Sequence, residues 1–253
     1  MTPLKLLLVR HGQSVGNAAG RMEGISSTGL TALGRQQSQR LGQELAATGW
    51  HPTHIYSSPL RRATETLTAL GQGLGIPTPA LHAKPSEGSA ESGLFDSVNL
   101  IAKAGVAVDI SPELSEYDAG LFNGLTWAEA CDRYPDLCQQ LETSLDWQPI
   151  PGAETPEQGR ARAQRFLAQV LARHGNGDRI LVISHHWLLQ QLIAGLLGSD
   201  RAWGLAMGHT ARFEFWLDRD RWEQPGVNRL NTELWQIKRF NDCTHCLETE
   251  FQN

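Results

Sequence analysis

Two apolar runs of the chain end directly in histidine. One run, Leu4 to Val9, leads into Arg10 and His11, and the other, Arg179 to Ser184, leads into His185. Continuous apolar runs of this length are typical of central strands that are buried on both faces. A strand buried in this way requires helices on both sides of its sheet. The two runs therefore predict a layered fold in which polar side chains follow directly after the central strands.

Helical patterns lie between the strand candidates and complete the predicted fold. Thr31 to Ala47 has leucines at helical spacing, and Thr155 to His174 begins with an N-cap threonine, a proline and the glutamine of a capping box. A third helix is expected at Leu188 to Leu197, and Ala211 to Leu217 and Glu233 to Phe240 are expected to form strands of a hairpin or sheet edge. This alternation predicts an α/β fold with a mostly parallel sheet and helices on both faces.

A third strand candidate is also followed by cationic residues. His54 to Ser57 precedes Pro59, which is expected in the first turn of a helix, and this places Arg61 and Arg62 at the N-terminus of that helix. The helix dipole disfavours cations there, and a bound phosphate would resolve the conflict. In open α/β sheets ligands bind at the carboxyl ends of the strands. The three strand ends therefore predict an anion site at one edge of the sheet.

The length of 253 residues fits a single α/β domain, and we expect one domain over residues 1–253. Residues 82–111 lack clean periodicity and are interpreted as an inserted, lid-like segment, with a short helix expected at Ser97 to Ala104. A long insertion within a compact domain commonly serves as a lid or a binding loop. This segment is therefore a candidate cover for the anion site.

The formal net charge of −5 gives the chain no general attraction to nucleic acid or to anionic membranes. Affinity for phosphate must therefore come from a local cluster of arginine and histidine. The apolar run at the start of the chain is too short for a signal peptide core or a membrane span, and a cytoplasmic location is the default expectation. The expected partner is a small phosphorylated metabolite, with no nucleic-acid or membrane partner, and a homodimer is left open.

The four cysteines of the chain do not have the pattern of a disulfide framework. Cys131, Cys138, Cys243 and Cys246 are expected to be reduced. Cys243 and Cys246 form a C-x-x-C that contains His245, which could contribute to a zinc site, but no second ligand pair of matching spacing is evident. Packing is therefore favoured over metal or redox chemistry for this motif.

The residues at the strand ends suit the transfer of a phosphoryl group. Neutral imidazole is a good nucleophile, while the charge on the phosphoryl oxygens must be held by fixed cations. Arg10, Arg62 and His185 could hold that charge beside His11 without a metal ion. The leaving oxygen also needs a proton, which a carboxylic acid at the same edge would supply.

Four motifs, in order along the chain, resemble the histidine phosphatase superfamily, also called the phosphoglycerate mutase-like family. They are R-H-G-Q-S-V-G-N at 10–17 with G-L-T-A-L-G-R-Q-Q at 29–37, S-S-P-L-R-R-A-T-E-T at 57–66, L-S-E-Y-D-A-G-L-F-N-G at 114–124, and P-G-A-E-T at 151–155 with I-L-V-I-S-H at 180–185. R-H-G alone would be weak support, but the ordered set spans nearly the whole chain.

The resemblance implies a role for each main residue of the site. His11 would be the nucleophile, and Glu116 would donate a proton to the leaving group and later activate water. Arg10, Arg62 and His185 would bind the phosphoryl group. The implied reaction needs no metal ion or other cofactor. The predicted activity is therefore that of a phosphoric monoester hydrolase that forms a phosphohistidine on His11.

Three further residues are candidates for substrate binding, and three positions depart from the family pattern. Asn17 is a supporting contact, and Gly12 would let the backbone approach the phosphate closely. His186 stands where a glycine usually follows the second histidine, and it adds a polar ring beside the site. Asn123 replaces a common acidic residue, and Ala153 replaces a glycine. These departures concern the substrate more than the chemistry.

Two alternatives to simple hydrolysis remain. A phosphoglycerate mutase-type enzyme would hand the phosphoryl group from histidine to a second hydroxyl instead of to water. A non-catalytic binding module would have lost the chemistry and kept a partner. The retention of His11, Glu116 and His185 argues against the module, and nothing in the sequence shows the exclusion of water that a mutase requires.

Overall fold

A mixed, mostly parallel sheet lies at the centre of the computed structural model, which describes residues 2–26, 28–76, 100–101, 106–199, 204–222 and 235–246. The order of the strands across the sheet is β3-β4-β2-β5-β1-β6-β7. Strands β4, β2, β5 and β1 run parallel to one another, whereas β3, β6 and β7 pair antiparallel. The strands are β1 (Leu4–Arg10), β2 (His54–Ser57), β3 (Leu100–Ile101), β4 (Ala107–Ile110), β5 (Arg179–Ser184), β6 (Arg212–Leu217) and β7 (Trp235–Asp242).

Helices pack on both faces of this sheet, as predicted. Successive residues of β1 point to opposite faces, so Leu6 joins an apolar cluster with Phe166 while Leu7 joins another with Leu67. Helices α6 and α7 supply the first cluster, and α2 and α3 supply the second. The helices are α1 (Val15–Ala18), α2 (Ala32–Ala47), α3 (Arg61–Leu74), α4 (Trp127–Arg133), α5 (Pro135–Thr143), α6 (Pro156–Arg173), α7 (His186–Leu197) and α8 (Arg219–Trp222).

Most of the predicted elements are confirmed. Helix α6 begins with Thr155 as its N-cap, and Thr155 and Gln158 form the predicted capping box. Strands β6 and β7 pair antiparallel, with Phe215 opposite Ile237, and β6 also pairs with β1. None of the described helices combines the length and the apolar character that crossing a membrane requires.

The predicted position of Pro59 is wrong, although Arg61 and Arg62 do lie in the first turn of α3. Ser58 still follows the sheet, since its N–H donates to the carbonyl oxygen of Ile183 at 3.0 Å. Pro59 therefore lies in the turn between the sheet and the helix, and Leu60 is the N-cap of α3.

The predicted helix at Ser97 to Ala104 is also wrong where it can be compared. Leu100–Ile101 forms strand β3, and the rest of that prediction lies outside the described residues. The segment 82–111 also ends in a strand, because Ala107–Ile110 is β4 and pairs in parallel with β2. Short runs with β-branched residues have no clear period of their own, so pairing with a neighbouring strand decides their structure. The lid-like role of the insertion stays a prediction.

Candidate active site

The ends of three parallel strands meet at one edge of the sheet. Arg10 at the end of β1 is in register with Ser184 at the end of β5, and Ile183 of β5 is in register with Ser57 of β2. The N–H of His11 donates to the carbonyl oxygen of Ser184 at 3.0 Å. The residues that follow these strands therefore converge, as the sequence predicted for an anion site.

The ring of His11 is held in one tautomer. Its Nδ1 lies 2.7 Å from the carbonyl oxygen of Gly12, which can only accept a hydrogen bond, so Nδ1 carries the proton. The other nitrogen, Nε2, then has a lone pair. The side chain is buried, and its ring centroid lies 5.0 Å from that of His185. The geometry therefore leaves a lone pair on Nε2 of His11, and the role of this atom as the nucleophile stays a prediction.

Arg62 connects the two histidines. Its Nε lies 3.2 Å from Nε2 of His11 and 3.1 Å from Nδ1 of His185. Its terminal nitrogens donate to two carbonyl oxygens, those of Ser26 at 2.6 Å and Gly24 at 2.8 Å. These bonds fix the planar guanidinium, so its Nε–H is aimed at the space between the two imidazole rings.

Ser58 forms a hydrogen bond with the ring of His185, and the sequence analysis did not identify it as a site residue. Because Nδ1 of His185 accepts from Arg62, its Nε2 carries the proton and donates to the Ser58 hydroxyl at 2.7 Å. The signal that could have identified Ser58 is its place directly after β2 in the S-S-P motif.

Burial, and then the charge of Arg62, holds the pKa of both His11 and His185 well below the usual range. Both rings are therefore neutral at pH 7.

Arg10 brings a second guanidinium to the site. One terminal nitrogen donates to the carbonyl oxygen of Met207 at 2.6 Å. Among the residues that the structure describes, no group accepts a hydrogen bond from its buried Nε. Buried donors are normally satisfied, and an anion beside His11 would satisfy this one. The phosphate-binding role of Arg10 stays a prediction, which this unsatisfied donor supports.

The carboxyl group of Glu116, from a loop, faces the first turn of α7. Its Oε1 accepts from the N–H of Tyr117 at 2.9 Å, and its carboxyl oxygens lie 3.4 Å from the N–H groups of Trp187 and Leu188. The charge of Glu116 acts on both Arg10 and Arg62, so its carboxyl group lies beside the candidate phosphate site, and its role as proton donor stays a prediction. Asp118, the next acidic side chain, is occupied in a turn, where its Oδ1 accepts from the N–H of Gly120 and the side-chain amide of Asn123.

Asn17 and His209 lie together at the rim of the site. Oδ1 of Asn17 accepts from the N–H of Ser14 at 3.3 Å and lies 3.2 Å from Nε2 of His209. The ring of His209 is 6.5 Å from that of His11, and burial lowers its pKa to about 3. The loop after α7 therefore reaches the site through His209, a residue outside the sequence motifs.

The other two candidate binding residues have clear structural contacts. The N–H of Gly12 donates to the hydroxyl of Thr66 at 3.0 Å, and a Cβ at Gly12 would lie only 2.4 Å from the carbonyl oxygen of Gly34. Crowding by helix α2 therefore explains why glycine is needed, and its contact with phosphate stays a prediction. Nε2 of His186 lies 2.8 Å from the carbonyl oxygen of Leu205, so this ring is tied to the neighbouring loop.

A cleft of about 590 Å³ opens beside Glu116. Its walls also include Ile25, Glu154 and Arg162, and the last two form an ion pair at 2.6 Å. Neither His11 nor the residues predicted to hold the phosphoryl group line this cleft. It therefore adjoins the site only through Glu116, and we do not assign the phosphate to it.

The C-x-x-C motif lies behind the loop that carries His11. The N–H of Thr210 donates to the carbonyl oxygen of His11 at 3.3 Å, and the Thr210 hydroxyl lies 2.8 Å from Nε2 of His245. All four cysteines of the chain are free thiols, as expected. Burial raises the pKa of the Cys243 thiol to about 11, so this sulfur is protonated at neutral pH.

Comparison with known proteins identifies the family. The sequence profile of the histidine phosphatase superfamily (branch 1) matches residues 6–83 and 95–229. The chain belongs to the histidine phosphatase superfamily. This membership agrees with the predicted enzyme class of phosphoric monoester hydrolase.

Relatives with similar sequences include two phosphatases. The metal-independent phosphoserine phosphatase of Arabidopsis thaliana is 25% identical over 98% of this histidine phosphatase chain and 85% of its own length. Phosphoserine phosphatase 1 of Hydrogenobacter thermophilus is 28% identical over 78% of each chain. A mycobacterial glucosyl-3-phosphoglycerate phosphatase has a similar fold, with a TM-score of 0.66, 23% identity and coverage of 94% of this chain and 98% of its own.

We predict that the free energy of unfolding falls as the pH drops from 7 to 5. The folded-state pKa values of His11 and His185 lie below the ordinary value of about 6.5, so below that pH the unfolded chain binds protons that the folded chain does not. Each histidine should then contribute a slope that approaches about 1.4 kcal/mol per pH unit well below pH 6.5 and fades as the pH rises above it. Urea unfolding at a series of pH values measures the slope.

Two variants test whether this pH dependence of the free energy of unfolding comes from His11 and His185. His11→Gln and His185→Gln should each make the pH dependence shallower, since glutamine does not titrate. His51→Gln, at an exposed histidine before β2, is the matched control and should keep the original slope. Wild-type slopes in both site variants would contradict the prediction.

Proposed function

We propose that this histidine phosphatase hydrolyses a small phosphorylated metabolite through a phosphohistidine on His11, without a metal ion. The observation that carries the proposal is the position of the Arg62 Nε–H, within 3.2 Å of the neutral nitrogens of both His11 and His185. A neutral nucleophile and a fixed cation thus lie together in a buried site. Such a site stabilises the charge that develops during phosphoryl transfer.

In the first step, Nε2 of His11 attacks phosphorus and the bond from phosphorus to the ester oxygen breaks. Arg10, Arg62 and His185 hold the phosphoryl oxygens, and the orphaned Nε–H of Arg10 gains an acceptor. The proton of the Glu116 carboxylic acid passes to the departing oxygen, which leaves as an alcohol. The products of this step are the alcohol, the phosphohistidine and the Glu116 carboxylate.

In the second step, water attacks the phosphohistidine. The Glu116 carboxylate takes a proton from the water, the new oxygen–phosphorus bond forms, and the nitrogen–phosphorus bond breaks. Neutral His11 and protonated Glu116 are restored, and inorganic phosphate is released. The hydrogen bond from Nδ1 of His11 to the Gly12 carbonyl keeps the ring in the orientation that both steps need.

The relatives support a substrate that is a small phosphate monoester. Two of them are named phosphoserine phosphatases. The mycobacterial protein with the similar fold is named a glucosyl-3-phosphoglycerate phosphatase. Phosphoserine is therefore the first substrate to test. The mutase and the binding module remain as alternatives, and the experiments below separate them from a hydrolase.

The first experiment traps the covalent intermediate. Brief reaction with a labelled phosphoester, followed by an alkaline quench, should leave phosphate on His11, because a phosphoramidate survives base and is lost in acid. His11→Ala should carry no label, whereas the exposed-site control His51→Ala should carry as much as the wild type. Label that persists in His11→Ala, or that is stable to acid, would exclude this nucleophile.

The second experiment identifies the acceptor of the phosphoryl group. Across a panel of phosphoserine, phosphoglycerates and sugar phosphates, at least one monoester should release phosphate in multiple turnovers. With 3-phosphoglycerate and a bisphosphoglycerate primer, interconversion of the phosphoglycerates should be slow at most. Interconversion far faster than any phosphate release would favour the mutase, and no turnover with any member would favour the binding module.

The third experiment tests Glu116 as the general acid. Glu116→Gln keeps the shape but offers no acidic proton, so the phosphorylation step should slow most where the leaving oxygen is strongly basic. Alkyl phosphates such as phosphoserine should lose roughly 10²–10⁴-fold in that step. Nitrophenyl phosphate leaves as a stabilised phenolate and should lose much less. Single-turnover bursts with both substrates measure the difference.

Asp118→Asn is the matched control for that experiment. Because the Asp118 carboxylate is engaged in a turn, its replacement should leave the ratio of alkyl to aryl rates unchanged. Equal losses for both leaving groups in Glu116→Gln would remove Glu116 from the acid role. A selective loss in Asp118→Asn would transfer the role to Asp118.

A further inference from the structure

Two histidines and an aspartate converge at the opposite edge of the sheet. His54 begins β2, His174 directly follows α6, and Asp178 directly precedes β5. One potential ligand atom from each side chain lies within 4.8 Å of the others. Ser58, at the active site, lies four residues further along from His54, which is about 13 Å of extended chain. The cluster is therefore separate from the site described above.

The hydrogen bonds of Thr53 determine which nitrogen of His54 has a lone pair. The Thr53 hydroxyl donates to the carbonyl oxygen of Arg179 at 3.2 Å and accepts from the N–H of Arg179 at 3.0 Å. Its only proton is thus used, so Nδ1 of His54, at 3.3 Å, must be the donor to this oxygen. The lone pair of neutral His54 is therefore on Nε2, where it is available to a metal ion.

His174 is already paired with a carboxylate. The side chain is buried, and its Nδ1 lies 3.3 Å from Oδ2 of Asp178 while its Nε2 lies 2.8 Å from the hydroxyl of Tyr56. The N–H of Gly175 also donates to that Asp178 oxygen at 3.2 Å. A cation between Nδ1 and Oδ2 would move the ring proton to Nε2, which would then donate to the Tyr56 oxygen. Histidine ligands of metals normally make this type of outer hydrogen bond.

We propose that His54, His174 and Asp178 form a binding site for Zn²⁺ or a similar divalent transition-metal ion. Two imidazoles and a carboxylate are a ligand set that such ions prefer, with water as a fourth ligand. Zinc–nitrogen bonds of ~2.0–2.1 Å place tetrahedral ligand atoms about 3.3 Å apart, which is the separation that His174 and Asp178 already have. A small movement of the half-buried His54 ring would close the remaining distance.

The site would stabilise the fold rather than take part in the reaction. Its ligands come from a strand, a helix end and the turn before another strand, so a bound ion would connect three elements that the unfolded chain separates. Anything that binds only the folded state raises stability. At a Zn²⁺ concentration ~100 times Kd, the melting temperature should rise by about 5–10 °C. Removal of the ion should leave the rate of phosphate release unchanged.

The experiment is a Co²⁺ titration of the full chain followed by absorption, with Zn²⁺ thermal shifts in parallel. We expect saturation at one ion per chain, with visible bands of cobalt held by nitrogen and oxygen, and no thiolate-to-cobalt charge-transfer band in the near ultraviolet. His54→Gln and Asp178→Asn should each weaken binding at least tenfold. His51→Gln, an exposed histidine three residues before His54, should bind as the wild type does.

A double variant separates this site from the C-x-x-C motif. Cys243→Ser with Cys246→Ser should keep both the visible bands and the Zn²⁺ thermal shift. A charge-transfer band that this double variant removes would assign the ion to the cysteines instead. Absence of saturable binding, or undiminished binding in both His54→Gln and Asp178→Asn, would also overturn the proposal and would show that the cluster is a hydrogen-bond network of Asp178, His174 and Tyr56.

Discussion

The candidate active site depends on one buried cation. The side chain of Arg62 is 1% exposed, and burial of a charge is costly unless hydrogen bonds and opposite charge offset it. The carbonyl oxygens of Gly24 and Ser26 take its terminal N–H groups, and the carboxylate of Glu23 lies 3.9 Å from its Nε. These bonds fix the plane of the guanidinium, and Nε is the nitrogen that lies within hydrogen-bond distance of both histidines. The loop that holds Arg62 in place thus also directs its charge toward Nε2 of His11.

The parallel sheet brings together the residues that surround Arg62. Because β2, β5 and β1 are neighbours and run in one direction, their carboxyl ends deliver Ser58, His185 and His11 to one edge. Burial beneath the helices then keeps both rings neutral, and the nearby positive charge acts in the same sense. The arrangement that lowers the pKa values of these histidines is therefore the one that would stabilise a transferred phosphoryl group.

The sequence predicted the central strands and the main helices because those elements carry local signals. Strand β4 has no such signal: Asp109 within it is a buried carboxylate that pairs with Arg173, distant in sequence, at 2.5 Å. The motifs likewise predicted which polar residues gather at the site, but not how they are held. The bond from His185 to Ser58 and the crowding of Gly12 by Gly34 depend on how distant segments pack, which a single sequence does not display.

The two edges of the sheet place histidine in opposite electrostatic settings. At the carboxyl edge, His11 and His185 face the guanidinium groups of Arg10 and Arg62, which repel a metal ion and attract a phosphate. At the amino edge, His174 faces the carboxylate of Asp178, which attracts a cation. A divalent ion should therefore partition to the amino edge even when phosphate is absent from the other. As proposed, one fold would thus bind an ion for stability at one edge and transfer a phosphoryl group with its own arginines at the other.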